Sequence, residues 1–200
     1  MSLARLLQLA SPTLPVGAYS YSQGLEAAIE ARMVFDSKSA ETWIGDVLEL
    51  SIVRMEAQVL RAQIAAPSQE LNDFFLATRE TAELRAETLQ MGGSLAKLLG
   101  DTSIENPAYP SAFALAVRRW EIDPRQALVA YVWSWLENQV MAAVKAVPLG
   151  QTAGQKILLE LGARLESIPE LPEEAWANFT PGLAHLSCQH ETQYSRLFRS

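Results

Sequence analysis

Apolar residues recur at helical spacing along almost the whole chain. The clearest case begins at Ser39, which is a predicted N-cap, and ends before Pro67. Its apolar positions lie three or four residues apart, as on the buried face of a helix: Ile44, Val47 or Leu48, Ile52, Met55 and Val59. No strand-like alternation of any length accompanies this pattern, so the sequence predicts an all-α protein.

Further helices are predicted over 69–78, 81–99 and 111–120. Gly92 and Gly93 fall inside the second of these, where glycine disfavours a helix, so we expect them to permit close packing or a bend. The loop before the third helix is too short to separate two domains. The chain is therefore expected to form a single domain over 1–200.

The most apolar helix is predicted between Pro124 and Pro148. Asp123 precedes it as a strong helix start, because a carboxylate there accepts the free amides of the first turn and proline fits the first helical position. Apolar side chains cover most of its circumference, and such a helix lies at the centre of a bundle. With helices over 150–168 and 181–193, the predicted architecture is an irregular helical bundle around a central apolar helix.

The N-terminal segment 11–30 combines a loop with a helix. Two prolines and a glycine keep Ser11 to Gly17 out of regular helix, whereas 20–30 shows helical spacing. Tyr19 lies where the two meet. Because a terminus without a task is usually polar and frayed, this one is expected to be structured for a purpose.

Composition narrows the choice of partner. The formal charge is −7, which disfavours nucleic acids and anionic membranes as partners, because binding to either requires clustered basic side chains. Cys188 is the only cysteine, so no internal disulfide can form and a reducing compartment is expected. The apolar runs fall short of the roughly twenty residues that a membrane span requires. We therefore expect a cytoplasmic protein that binds neither nucleic acid nor membranes.

Familiar catalytic motifs are missing from the sequence. It contains neither a GxxxxGK[ST] phosphate-binding loop nor a GxSxG nucleophile motif. His185, Cys188 and His190 are weak candidates for a metal site, because only the first two have a spacing that shares a helix face. An ordinary packed helix with exposed polar residues is the favoured interpretation, and no resident cofactor is expected.

A polar stripe interrupts the central apolar helix at helical spacing: Ser134, Asn138, Met141 and Lys145. Burying such groups is costly unless they are paired, so they face solvent, form an internal network or line a water-filled cavity. Gln151 and Gln155 follow on the next helix, where their spacing of four places them on one face just after the turn.

The segment 194–200, YSRLFRS, has the composition of a protein interface. It combines aromatic, aliphatic and guanidinium side chains: Tyr194, Arg196, Leu197, Phe198 and Arg199. A free tail would gain nothing by exposing a leucine and a phenylalanine to water, so this segment is expected to bind a partner.

Three stretches are distinctive when they are taken together. They are LLQLASPTLPVGAYSYSQGLE near the start, YVWSWLENQVMAAVKAVPLGQTAGQ in the middle and SRLFRS at the end, with MGGSL at 91–95 between them. In combination they resemble the UreF family of urease accessory proteins, over the whole length of the chain. The resemblance implies an all-α protein without catalytic activity, usually a homodimer. It would bridge the accessory protein UreD, called UreH in some species, and the GTPase UreG in a complex that delivers nickel to the urease apoenzyme.

The same resemblance implies roles for individual residues. The tail residues named above would order against UreD or UreH, and Tyr19 and Lys145 would lie on the surface associated with the GTPase. Gln151 and Gln155 belong to the same central motif and are also predicted to bind a partner. The family is thought to offer an internal polar tunnel, so nickel would be in transit and not a bound cofactor.

Two other functions remain open at this point. The chain could activate a partner GTPase by supplying an arginine finger, for which Arg79, Arg85 and Arg118 are candidates. It could instead bind nickel directly, through the two histidines and the cysteine near its end. The sequence favours the adaptor, a protein that holds and regulates a GTPase without being an enzyme.

Overall fold

A computed structural model describes residues 3–200, which form a bundle of helices with no β-strand in that range. In chain order the helices are α1 (Leu3–Ala10), α2 (Leu25–Glu30), α3 (Ser37–Val47), a π-helix (Leu48–Glu56), α4 (Ala57–Ala65), α5 (Gln69–Ala77), α6 (Ala82–Leu99), α7 (Tyr109–Arg119), α8 (Pro124–Ala146), α9 (Gln151–Gly162) and α10 (Pro181–His190). Within the same residues, no helix is both long and apolar enough to cross a membrane. The prediction of an all-α protein is confirmed.

Helix α8 lies at the centre of the bundle, as its sequence predicts. The Asp123 carboxylate accepts the Gln126 amide at 2.9 Å and so caps the first turn. α8 packs against α1, α2, α3, α4, α7 and α9, and its Leu136 and Val140 are completely buried. Trp133 of α8 is nevertheless 36% exposed, so the apolar circumference of the helix is not buried all round.

The long segment from α3 to α4 differs from the predicted uniform helix in two ways. Asp36 is the N-cap and not Ser39: the Asp36 carboxylate accepts the Ser39 amide at 2.8 Å, and Ser39 Oγ accepts the Asp36 amide at 3.0 Å. The middle of the segment is π-helical, and at its end Glu56 is buried in the core. The predicted apolar stripe is nevertheless buried throughout.

The predicted helix over 20–30 is wrong in its first half. Gln23 and Gly24 have positive φ angles of 53° and 76°, which a helix cannot contain, so α2 begins only at Leu25. A short 3₁₀ turn covers Ala18–Ser20 instead. The loop between the turn and α2 is consequently longer than the sequence predicts.

Helices α6 and α7 approach each other at Gly92. A Cβ atom at this position would lie 2.0 Å from Pro107 O, so no larger residue fits without moving the backbone. The close packing predicted for the glycine pair is thus confirmed at Gly92. Gly93, by contrast, has open space on its solvent side.

Candidate functional site

The N-terminal loop, residues 11–24, is held by apolar side chains that point into the bundle. Leu14 and Val16 are buried. Gly17 adopts a φ of 81°, and Ser20 Oγ donates to Gly17 O at 2.7 Å, which closes the 3₁₀ turn. The turn carries Tyr19 outwards, with 72% of the residue exposed. The loop therefore presents an aromatic ring and its hydroxyl to solvent on a fixed backbone.

The C-terminal segment, residues 194–200, lies against this loop through backbone hydrogen bonds. The Arg199 amide donates to Ser20 O at 2.7 Å, and the Ser22 and Gln23 amides donate to Ser200 O at 2.7 and 3.1 Å. These bonds satisfy main-chain groups on both segments. The loop and the C-terminal segment consequently form one continuous surface.

Side chains of the C-terminal segment divide between the core and the surface. Phe198 enters the bundle and is only 7% exposed, and Lys145 Nζ of α8 lies 4.7 Å from the centroid of its ring. Tyr194 is fully exposed and Leu197 is 59% exposed. Lys145 and Phe198, which the sequence assigns to two different partner surfaces, are thus brought into contact.

Gln151 and Gln155 are both exposed, one turn apart on α9. Leu159 continues the same stripe and is also exposed. The predicted projection of the two glutamines from one helix face is confirmed.

A cavity of about 340 Å³ lies beneath the N-terminal loop. Apolar side chains from the loop and α6 line part of it, and the polar groups in its lining include Gln23, Glu56, Arg79, Glu87, Ser134 and Asn138. Three members of the stripe on α8, namely Ser134, Asn138 and Met141, therefore line a cavity, which is one of the arrangements that the sequence allowed.

Hydrogen bonds connect the loop to the wall of this cavity. Trp135 Nε1 donates to Gln23 Oε1 at 2.6 Å, and Gln23 Nε2 donates to Glu87 Oε1 at 2.7 Å. Asn138 Nδ2 donates to Tyr21 O at 3.0 Å. Asn138 of the polar stripe and Trp135 of α8 thus belong to a hydrogen-bond network that fixes the position of the loop.

Two buried carboxyl groups, those of Glu56 and Glu87, face the cavity in different environments. Glu56 is paired with Arg79 at 2.9 Å and accepts the Tyr131 hydroxyl at 2.7 Å. Glu87 instead accepts from the Gln23 amide and from Ser200 Oγ, which are neutral donors. Burial raises the pKa of Glu87 to about 7, against the lowering effect of these hydrogen bonds, and the charge of Glu56 adds to the rise.

Comparison with known proteins decides the family. The family model described as UreF matches residues 34–162. A protein named urease accessory protein UreF, from Azoarcus sp. (strain BH72), is 53% identical over 225 aligned positions, which cover 100% of this chain and 96% of that protein. A protein of the same name from Dechloromonas aromatica (strain RCB) is 50% identical, with coverage of 100% and 98%. The chain belongs to the UreF family.

In this UreF-family chain, the candidate metal ligands near the end are divided between the surface and the core. His185 and Cys188 are exposed on α10, whereas His190 is completely buried. Within residues 3–200, no three His, Cys, Asp or Glu side chains gather closely enough to hold a metal ion. The three candidates are therefore not brought to one point.

The arginine-finger candidates of the UreF-family chain all make contacts that hold the fold. Arg79 is buried with Glu56 and lies 4.5 Å from the centroid of the Phe75 ring. Arg85 Nη1 donates to Leu76 O at 2.5 Å, and Arg118 Nη1 donates to Ile64 O at 2.7 Å. Only Arg79 is held in a buried ion pair, whereas Arg85 and Arg118 are exposed residues.

Three acidic residues that contact the C-terminal segment were not predicted from the sequence: the buried Glu26 and Glu87 and the half-buried Glu83. A signal for Glu87 was available, because Leu84 and Met91 flank it at spacings of three and four on a buried helix face. A carboxylate at such a position is costly unless it is specifically paired.

Proposed function

We propose that this chain is a non-catalytic adaptor of urease maturation. Membership of the UreF family implies the role in maturation. The finer proposal is that the chain bridges a UreD- or UreH-type accessory protein and a UreG-type GTPase while nickel is delivered to the urease apoenzyme. We further propose that it acts in the cytoplasm as a homodimer.

The observation that carries the bridging role is the continuous surface formed by the N-terminal loop and the C-terminal segment. Tyr19 and Leu197 are exposed there on backbones fixed by hydrogen bonds, and Tyr194 is exposed three residues before Leu197. Large side chains that are ordered in advance lose little conformational entropy on binding, which favours them as interface anchors. Lys145 adds a cation at the edge of the same surface.

Nickel enters this proposal as cargo. The cavity beneath the loop offers carboxylate, amide and hydroxyl oxygen atoms, from Glu56, Glu87 and Ser134 among others. Imidazole suits nickel better than carboxylate and carbonyl oxygens do, so a lining of this kind favours passage of the cation over tight binding.

The adaptor proposal is tested by Leu197→Ala. Leu197 is 59% exposed, so its truncation should leave folding intact while removing apolar contact with a partner. We expect the affinity for a purified UreD- or UreH-type protein, measured by titration and sizing, to fall by about tenfold or more.

The matched control is Leu98→Ala on α6, where the leucine is 49% exposed and lies away from the C-terminal segment in sequence. This control should bind as tightly as the original chain. Equal affinity for both variants would show that the C-terminal segment is not the partner surface.

A further inference from the structure

The cavity beneath the N-terminal loop reaches the surface beside Tyr19. Its lining includes Glu56 and Tyr131, which are buried, as well as Tyr19 and Met141, which are 72% and 46% exposed. Glu137 also lines the cavity, one turn before Met141 on α8, and is half-buried. Tyr19, Glu137 and Met141 therefore form the mouth of the cavity.

The Glu137 carboxylate at the mouth has no cationic partner in the described part of the chain. It takes part in none of the ion pairs formed within residues 3–200. Burial raises the pKa of Glu137 above its ordinary value, and burial is the whole cause of the rise. The charged form is thus partly removed from water without any compensation, so a cation that arrives from outside would stabilise it.

The rest of the lining reinforces this preference for a cation. Glu56 and Glu87 add two further carboxyl groups, whereas Arg79 is the single Lys, Arg or His among the residues that line the cavity. Arg79 is already paired with Glu56 at 2.9 Å. The cavity therefore attracts positive charge and repels anions.

The mouth also offers apolar surface next to the carboxylate. Leu14, Met141 and the ring of Tyr19 contribute to the same lining. Lysine and arginine side chains combine an apolar stem with a charged head, and they bury the stem while the head is paired. A cation close to the face of a tyrosine ring gains a further attraction. A metal ion would use the apolar surface poorly, and no three His, Cys, Asp or Glu side chains gather to hold one within residues 3–200.

We propose that the mouth of the cavity is a socket for a lysine or arginine side chain of a protein partner. Glu137 pairs with the charged head, and Met141 and the Tyr19 ring contact the stem. The occupant belongs to a protein because the mouth is continuous with the exposed Tyr19 of the proposed partner surface. The assignment of the partner thus rests on the proposed adaptor function, to which it adds a chemical requirement for a basic side chain.

The socket is tested first in the full chain without a partner. N-propylguanidinium chloride represents an arginine side chain, and N-propylurea is its uncharged analogue. Nuclear magnetic resonance at constant ionic strength follows the Trp135 indole N–H and the Asn138 side-chain amide, both of which line the cavity. We expect N-propylguanidinium to bind with a Kd of about 1 to 10 mM and N-propylurea to bind about tenfold more weakly.

Glu137→Gln keeps the shape of the side chain and removes its charge, so it should weaken N-propylguanidinium binding by about fivefold or more. Glu70→Gln is the matched control, because Glu70 is exposed on α5 and lies outside the cavity. It should bind the probe as the original chain does. Equal affinity in Glu137→Gln, or no shift of the Trp135 indole up to about 50 mM probe, would overturn the socket.

The second test uses a purified UreG-type GTPase as the partner. We expect Glu137→Gln to lower the affinity by about tenfold, Glu137→Lys to lower it further through repulsion, and Glu70→Gln to leave it unchanged. An unchanged affinity in Glu137→Gln, where Tyr19→Ala lowers the affinity, would refute the socket alone. An unchanged affinity in both variants would refute the socket and the proposed partner surface together.

Discussion

At the scale of single residues, the proposed role of the exposed Tyr19 in recruiting a partner can be tested separately from stability. Most of its side chain lies outside the core, while Leu14 and Val16 anchor the loop that carries it. We expect Tyr19→Ala to lower co-purification with a UreG-type GTPase by about tenfold or more and to shift the melting temperature by no more than about 2 °C.

The control for Tyr19→Ala is Phe179→Ala, because Phe179 is 75% exposed in a different part of the chain. It should retain full GTPase recruitment. A strongly lowered melting temperature in Tyr19→Ala would instead assign the tyrosine to the architecture of the loop.

Glu87 should make the stability of the protein depend on pH. Its pKa of about 7 in the folded state exceeds the usual 4.5, so the folded state binds this proton more tightly than the unfolded chain does. The group therefore destabilises the fold progressively as pH rises from about 4.5 to 7. We expect Glu87→Gln to raise the free energy of unfolding at pH 8 by roughly 1 to 3 kcal/mol, and to change it much less at pH 4.5.

Urea unfolding of both proteins at the two pH values measures this difference. An equal change at pH 4.5 and pH 8 would mean that packing of the glutamine, and not loss of the carboxylate charge, causes the effect.

The candidate interface residues on the surface were easier to predict from the sequence than the polar residues buried in the core. Tyr19 and Leu197 lie in segments whose composition indicates a protein interface, and this can be seen without knowing which residues surround them in the fold. The hydrogen bonds of Glu26 depend on amides that lie more than 160 positions further along the chain, since the separations to Leu197 and Phe198 are 171 and 172 residues. Local periodicity carries no information about such a pairing, so it could not be predicted.

At the scale of helices, the contact between α6 and α7 depends on Gly92. A Cβ there would meet the backbone around Pro107 and Ala108, which cannot yield as a flexible side chain would. We expect Gly92→Ala to lower the free energy of unfolding by roughly 1 to 3 kcal/mol through overpacking.

Gly93→Ala is the matched control, because the same substitution one position later meets nothing within 4 Å. It should stabilise the protein by roughly 0.5 to 1 kcal/mol, since alanine is the better helix former. Denaturant midpoints of the two variants should therefore move in opposite directions, and a shared direction would contradict the proposed contact.

The helices themselves were largely predictable because burial repeats with the helical period. The π-helix was not, because a wider turn leaves the spacing of Ile44, Ile52 and Val59 compatible with an ordinary helix. The late start of α2 was missed for a different reason. Its causes are the positive φ angles at Gln23 and Gly24. Glycine permits such a backbone, but glutamine gives no warning of one.

At the scale of the whole molecule, the C-terminal segment belongs to the folded core as well as to a surface. Deletion of residues 198–200 would remove the buried Phe198 ring and leave the Ser22 and Gln23 amides without their acceptor. We expect the melting temperature to fall by roughly 5 to 10 °C, because burial of a phenylalanine contributes about 2 to 3 kcal/mol and each kcal/mol corresponds to about 2 to 4 °C in a chain of this size.

Tyr194→Ala alters the same segment at a fully exposed position and should leave the melting temperature unchanged within about 1 °C. Calorimetry of the three proteins provides the measurement. Identical melting of the truncated and original chains would show that the segment is not docked in solution.

The placement of Ser200 also governs how the protein can be labelled. This residue is only 1% exposed, and its carbonyl oxygen accepts from the Ser22 and Gln23 amides. An affinity tag or fluorescent protein fused after Ser200 would have to leave from a buried position and would compete with these bonds. Purification handles and reporters for interaction assays should therefore be joined to the N-terminal side, ahead of the exposed Leu3 on α1.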